Sequence, residues 1–516
     1  VVVPRLVDTA RVRSLIAGVA GQALGRPVRF GSVSVTVLPR PAVVVRDVEV
    51  GEDPAFGPAP FARLPEARVR LRLWPLLLLR AELGDVVAER PVISVVRDAQ
   101  GRWNVASLGV PAEPRAGGRT RGGTGGGAPA GAVLLSRVRI DDGAITFETR
   151  AGRAPIRYRV EGLDVTLTAG AGAPAAFRGD ARVQPGDLAI AIDGGTLALG
   201  AGRGLLDSPV GGRVRVQTDQ LRPLVAASLG PEPSVAGVLR GAFAMGGTVG
   251  RPRATGEVEL TDVTIARTSP RCPEPRTRRL ALGPVKASAA LDHRRVTARP
   301  VTTSLGAGTI TASLATALSA APRIEVTDLA VTGVPVEKVL VDFLCQAHAV
   351  TGPLELTGRA SALAADPLGT LEGAGRVRVG PGRVVGAQAV ALLDGVLRLG
   401  GAVTSALRGG APTPGPVPLD YDSIAGTWTV TDGVLTTRDL VFTSPALRIA
   451  AAGTYGLASG RLDFDTVVDH GGGQVRARVT GTASAPAIRL VSAGGGRGLD
   501  PGAVQRGFED LLRRFR

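Results

Sequence analysis

Large rings are scarce in this 516-residue chain: phenylalanine, tryptophan and tyrosine make up 3% of it, and there is one methionine. A compact β-sandwich core is usually filled with help from such rings. Any buried face here must therefore be built from Val, Leu, Ile and Ala, an aliphatic surface chemically similar to an acyl chain. Lysine is almost missing too, since Lys286 and Lys338 are the only lysines among 61 basic residues. Two cysteines, Cys272 and Cys345, permit one optional disulfide and exclude a disulfide framework. No run approaches the ~20 apolar residues that span a bilayer. Leu73-Trp-Pro-Leu-Leu-Leu-Leu79 is too short, is broken by Pro75, and reads as a buried strand or turn.

Residues that carry chemistry are equally sparse. The histidines, His293, His348 and His470, are scattered. Cys345-x-x-His348 has a chelating spacing but no second ligand pair, and reads as a chance occurrence at the end of a helix. Asp469-His470 before Gly471-Gly-Gly473 reads as a hairpin turn. There is no G-x-S-x-G elbow, and neither lysine follows glycine as a P-loop requires. Asp141-Asp142 and Asp463/Asp465 read as turn or outer-face carboxylates held in solvent. The expectation is no enzyme, no metal and no cofactor.

What the chain does have is alternation. In Ala67-Arg-Val-Arg-Leu-Arg-Leu-Trp74 the apolar residues 67, 69, 71 and 73 are interleaved with Arg68, Arg70 and Arg72. Successive side chains of a strand point to opposite faces, so this is a strand with one greasy and one charged face. The pattern returns in 32–37, 256–260, 375–379, 461–465 and 474–479, with 71 Gly and 38 Pro supplying turns. The formal charge of +16 is almost all arginine. A GC-rich genome produces such a bias; so does a surface for anionic partners. The arginines are spread over many strands without aromatic platforms, which argues against nucleic acid.

Residues 8–24 read as a helix, with Asp8 or Thr9 as N-cap, an apolar stripe through Val12, Leu15, Ile16, Val19, Ala23 and Leu24, and Gly25 at C′. Strands follow from about Val28 to Ser107, with turns at 39–41, 54–60 and 98–101. Residues 111–131 have no periodicity and read as a flexible linker. Short helices at 221–229 and 336–344 each precede a V-x-G-x-L signature (Val235 to Leu239, Val350 to Leu354) and then a G-x-V-x-[LV] strand (Gly256 to Leu260, Gly375 to Val379). That is an internal repeat of strand units. The divisions read as 1–27, 28–110, 111–131, 132–324, 325–498 and 499–516. The last is an amphipathic helix with Val504, Phe508, Leu511, Leu512 and Phe515 on one face and arginines opposite, suited to plugging the open sheet end or lying in a bilayer interface.

Leu24-Gly-Arg-Pro-Val28, Leu38-Pro-Arg-Pro41, Val45-Arg-Asp-Val-Glu-Val50, Pro54-Ala-Phe56, Pro75-Leu-Leu77, Pro91 to Arg97 and Gly101-Arg-Trp-Asn104 follow one another in an order that resembles the AsmA family of bacterial envelope proteins. Ile424 to Trp428, Asp432 to Leu435 and Val479 to Pro486 resemble its C-terminal part. The resemblance covers roughly 5–110 and 325–490. It implies a mainly β fold: an elongated, curled antiparallel sheet forming an apolar groove, with an N-terminal helix, short interspersed helices and a C-terminal amphipathic helix. It also implies a periplasmic protein tethered to the inner membrane, with phospholipid and membrane as partners and no catalytic residues. Val69, Leu71, Leu73, Val258, Leu260, Val377 and Val379, on the alternating apolar face, are then expected to line the groove. A non-transporting scaffold affecting outer-membrane protein assembly and a closed sandwich with a filled core are the competing readings.

Val1-Val-Val3, the missing Met and a helix starting within about ten residues lead to the expectation that the reading frame upstream encodes ~20 apolar residues with a basic cytoplasmic flank. Sequencing the complete open reading frame checks this; a cleavable signal peptide or a polar leader contradicts it.

Overall fold

The computed structural model describes residues 24–36, 42–71, 83–108, 137–150, 156–170, 173–198, 204–385 without 271, 320 and 346–348, 420–470, 473–482 and 485–494, with Ser14, Ala17, Gly18, Ala20 and Gly21 ahead of them. The protein is mainly β, and 26 of its strands are hydrogen-bonded in one large, overwhelmingly antiparallel sheet. The chain folds as two compact units: Val1–Leu224 with Val238–Val258 and Ala290–Arg294, and Val225–Gly237 with Glu259–Ala289 and Arg295–Arg516.

The first unit contains β1 (Val28–Arg29), β2 (Ser32–Thr36), β3 (Ala42–Val50), β4 (Ala62–Leu71), β5 (Leu83–Glu89), β6 (Val92–Arg97), β7 (Arg137–Thr149), β8 (Ile156–Gly170), β9 (Ala173–Gln184), β10 (Leu188–Leu197) and β11 (Val210–Thr218). Neighbours in sequence pair as antiparallel hairpins, with two exceptions, the first being that β1 and β2 both pair with β3. β5 and β6 run end to end through Arg90-Pro91, pair antiparallel with β4, and pair parallel with β7 on their other side. Parallel neighbours need a crossover of a dozen or more residues, and residues 98–136 supply the length. The expected linker is thus part of a crossover connection within the unit. Period-two patterning fixes which face a residue occupies but not the direction of the neighbouring strand, so alternation alone had no means of revealing this.

Residues in the left-handed region recur along these strands, and several of them mark an extra residue in one strand of a pair. Asp47, Arg90, Asp142, Gly162 and Gly194 all have φ between 44° and 60°, and the pairing slips by one beside Asp142, Gly162 and Gly194. Such bulges bend a strand and increase its twist. Each also shifts the alternation by one. In β7 the half-buried apolar residues are Val138 and Ile140 before the bulge, and Ile145 and Phe147 after it. Asp141-Asp142 therefore lies inside a strand at a bulge, not at a turn between strands.

A polar network is buried in the first unit. The helix expected at 8–24 is present at the described positions, and it ends at Gly25 (φ 69°), with the Arg26 N–H donating to Gly21 O. That is a Schellman-type C-terminus, and it aims the Arg26 side chain inward beneath the Phe61 ring. Arg26 pairs with Glu52 and donates to the Asn104 carbonyl. Asn104 is fully buried; its Nδ2 donates to Glu52 Oε2 (2.7 Å) and Ser94 O (2.8 Å), and its Oδ1 accepts the Val96 N–H (2.9 Å). Around this network pack Val28, Val50, Phe61 and Ala62, with Ala20, Ile93, Val105 and Leu108 against them. Residues 104–107 form a 3-10 helix, so the strand region expected to reach Ser107 ends at β6.

β12 (Ser234–Thr248), β13 (Arg251–Thr268) and, further along, β15 (Val285–Asp292) are shared between the units by residue range. The second unit continues with β14 (Thr277–Ala281), β15 (Val285–Asp292), β16 (Arg295–Leu305), β17 (Gly308–Ala317), β18 (Arg323–Pro335), β19 (Ala349–Val350), β20 (Pro353–Leu363), β21 (Glu372–Val379), β22 (Gly382–Val385), β23 (Asp420–Tyr421), β24 (Ser423–Thr431), β25 (Val434–Thr443), β26 (Leu447–Gly456), β27 (Arg461–His470), β28 (Gly473–Thr482) and β29 (Ala485–Gly494). Bulges recur here, with αL residues Asp262 in β13 and Asp328 in β18. The two expected internal helices exist at Leu221–Leu229 and, as a π-helix, at Lys338–Phe343. The second packs Val336 and Leu340 against Val379, Val384 and Tyr421, and Val339 against Leu305, Val331 and Val334. A disulfide joins Cys272, in the β13–β14 loop, to Cys345 just beyond the π-helix. The thiol of the Cys345-x-x-His348 pattern is therefore consumed in a structural bridge. His293 sits in the β15–β16 turn at φ 55°, and Asp469-His470 leads into the expected hairpin, with His470 opposite Gly473.

Removing one member of a buried ion pair strands the other charge, at a cost of about 3–5 kcal/mol. Glu52→Ala is expected to lose that much stability in urea unfolding. Tyr421 gives a second expectation. It is 2% exposed, donates to Thr351 O (2.7 Å), and has its pKa pushed up to about 12 by burial and, secondarily, by the Glu337 carboxylate. Below pH 10 both folded and unfolded chains keep this proton. Above pH 10 the unfolded chain loses it while the folded chain holds it to about pH 12, so stability falls by roughly 3 kcal/mol across that interval. Urea midpoints measured against pH should show this fall, and Tyr421→Phe should lack it.

Candidate functional site

Residues directly opposite each other on paired strands share a face, so the register traces cross-strand rows. In the first unit one row runs Val43, Val69, Val86, Val138, Leu167, Phe177. The row beside it runs Val45, Ala67, Ala88, Ile140, Val165. Two adjacent apolar rows, one over six strands and one over five, make a continuous apolar strip. Every residue of the first row is only half-buried. An inner face of a sandwich interdigitates with a second sheet and would be sealed. Here each side chain of the row keeps part of its surface in solvent. On the opposite face, Arg68 and Arg139 belong to one row; Arg68 pairs with Glu66 (2.7 Å) and Arg139 with Asp141.

In the second unit a row runs Leu354, Val379, Ile424, Phe442, Ile449, Val468, Val475. Its β20–β21 end is sealed by Val336 and Leu340 of the helical turn, and Val379 is 6% exposed. Beside it Trp428 lies over Gly358, Gly373 and Gly375: a Cβ at Gly375 would stand 2.7 Å from the indole, and one at Gly358 3.0 Å. The ring thus occupies space that three missing side chains leave on two strands. Further along, Ile424, Phe442 and Ile449 are half-buried. The outer face carries charge pairs such as the two-pronged Arg478–Asp463 bridge (2.9 and 2.8 Å), which holds the Asp463 carboxyl below its ordinary range.

Of the residues singled out from sequence, Val69 falls in the open row of the first unit. Val258 and Leu260 are half-buried on β13, and Val377 is half-buried beside the sealed cluster that contains Val379. The Leu71 side chain, Leu73, and Val504, Phe508, Leu511, Leu512 and Phe515 lie outside the described residues. Sequence reasoning missed Val86, Val138, Leu167 and Phe177, although each sits in an alternating stretch. Among the described residues no group of His, Cys, Asp and Glu is placed to hold a metal ion, and no helix is long and apolar enough to cross a membrane.

An aliphatic strip of this kind can do one thing chemically, which is to remove hydrocarbon from water. Each CH₂ buried contributes about 0.8 kcal/mol without a specific contact. No curated protein and no solved structure matches the chain. The AsmA family model matches residues 1–163, which reaches past the expected limit of 110 to include β7 and part of β8, and leaves the C-terminal resemblance outside the match. The matched N-terminal region, which is similar to the AsmA family, contains the Arg26–Glu52–Asn104 network, the β5/β6–β7 joint and the start of the open apolar strip.

Proposed function

We propose that the protein carries phospholipid along the apolar face of its sheet, in the periplasm, attached to the inner membrane through a segment upstream of Val1. The observation that carries the reading is the half-exposed row Val43, Val69, Val86, Val138, Leu167, Phe177. An acyl chain laid along it gains burial at every strand and prefers no one position strongly. A 16-carbon chain gains on the order of 10 kcal/mol in full burial, enough to leave water, while sliding by one strand exchanges similar contacts. Scarce aromatics suit such a path, because a large ring would create a deep local site. The Cys272–Cys345 bridge supports a compartment outside the reducing cytosol. In this reading the protein is not an enzyme and uses no cofactor or metal.

Val69→Asp and Leu167→Asp are expected to leave the unfolding free energy in urea within about 1 kcal/mol of the parent, because both side chains are only half-buried. Both should reduce phospholipid transfer between donor and acceptor vesicles. Native mass spectrometry of the purified parent should show co-purified phospholipid, reduced in both variants. Unfolding of either variant would mark the strip as core. Absence of co-purified phospholipid, with transfer no faster than in protein-free controls, would favour the non-transporting scaffold.

A further inference from the structure

The face opposite the open strip holds a recess of about 510 Å³ in the first unit. Two adjacent cross-strand rows form its floor. One runs Asp85, Arg137, Thr168; the other runs Val87, Arg139, Thr166, Arg178. Arg70 stands at its rim.

The charges in this recess do not balance. Arg70 is 3.8 Å from Asp85, and Arg139 is bonded to Asp141. Arg137 and Arg178 make no hydrogen bond or ion pair among the described residues, although both line the recess. The nearest carboxylates further along the strands, Asp164 and Asp180, face each other and lie outside the lining. Elsewhere this face neutralises arginine with a carboxylate on the same or the next strand, as in Arg68–Glu66 and Arg159–Glu161. Between Arg137 and Arg178 it places Thr166 and Thr168 instead. Hydroxyls donate hydrogen bonds without cancelling charge.

We propose that this recess binds a phosphate group, as a soluble phosphate or phosphate monoester. Planar guanidinium forks match phosphate oxygens in pairs. Arg137 and Arg178 supply two such forks from opposite sides, with the two threonine hydroxyls between them, and an incoming dianion balances the two unpaired cations. The volume lies within the range of small-molecule sites, and a recess admits a discrete group better than the plane of a bilayer. Alternate residues of the same strands build the apolar strip, so the arginine and threonine rows lie on the other face; Phe177, the last residue of the strip, also borders the recess, and the proposal stands whether or not the strip carries lipid.

The test uses the full chain in low-salt buffer. Calorimetric titration with inorganic phosphate and with glycerol 3-phosphate is expected to give saturable one-site binding, on the order of 1 mM or tighter. Binding should weaken as salt is added. The double variant Arg137→Gln/Arg178→Gln should bind at least tenfold more weakly with an unchanged thermal melt, while Arg295→Gln, on the second unit, should bind as the parent does. Absence of saturable phosphate binding to the parent would overturn the proposal, as would equal binding by the double variant. If the parent ignores both soluble probes, yet binds phosphatidic acid vesicles in a way that the double variant does not, the patch is a bilayer contact and the phosphate site is likewise refuted.

Discussion

A β-strand cannot bend sharply and keep its two faces sorted unless the sequence accounts for the bend. Side chains alternate with period two, so one inserted residue sends every later side chain to the other face. This protein bends its strands with αL bulges at Asp142 and Asp328 and with αL residues at Asp47 and Asp262, and its sequence steps the hydrophobic pattern by one at the same places. Val43 and Val45 give way to Val48 and Val50; Ile324 and Val326 give way to Leu329 and Val331. Asp tolerates αL better than the β-branched residues around it, which explains why an acidic residue recurs in the middle of apolar strands. Everything else, including the open strip, the arginine face and the recess, depends on this phase correction.

The two units use the same sheet chemistry differently. In the second, the π-helix and Trp428 close part of the apolar face, and the Cys272–Cys345 bridge ties the end of that helix to the β13–β14 loop. In the first, helical residues gather at one corner around Arg26, Glu52 and Asn104 and leave the Val69 row uncovered. A buried charge network is a poor source of net stability, since desolvation offsets most of its attraction. Its value here is geometric: it fixes where the helix exit, the turn after β3 and the 3-10 turn after β6 meet.

Much of this was legible in the sequence because it is local. Alternation identified the strands and their faces, Gly25 marked the helix end, and the 221–229 helix was recovered at its exact bounds from its stop at Gly230-Pro231. What was hidden is non-local. Arg26, Glu52 and Asn104 each sit in a stretch that resembles the family pattern or adjoins it, but nothing in their spacing says that they touch. The pairing of Cys272 with Cys345 is of the same kind. The π-helix was read as an ordinary helix because both present Val336, Val339 and Leu340 inward. Asp141-Asp142 was read as a turn or a strand's outer face; the outer face holds, and the switch in phase around the pair was the signal against a turn.

The parallel joint has a consequence for how the chain is made. An antiparallel hairpin closes as soon as its second strand emerges, but β6 ends at Arg97 and β7 does not begin until Arg137. At about 5–20 residues per second, the free side of β5 and β6 waits roughly 2–8 s for its partner. During that time it is an open edge, the kind of surface on which other chains assemble, and closing the intervening loop costs entropy before any pairing is gained. An N-terminal fragment ending in the 98–136 connection would keep that edge permanently. The family match runs to residue 163, through the whole of β7, so the matched region includes the strand that covers this edge.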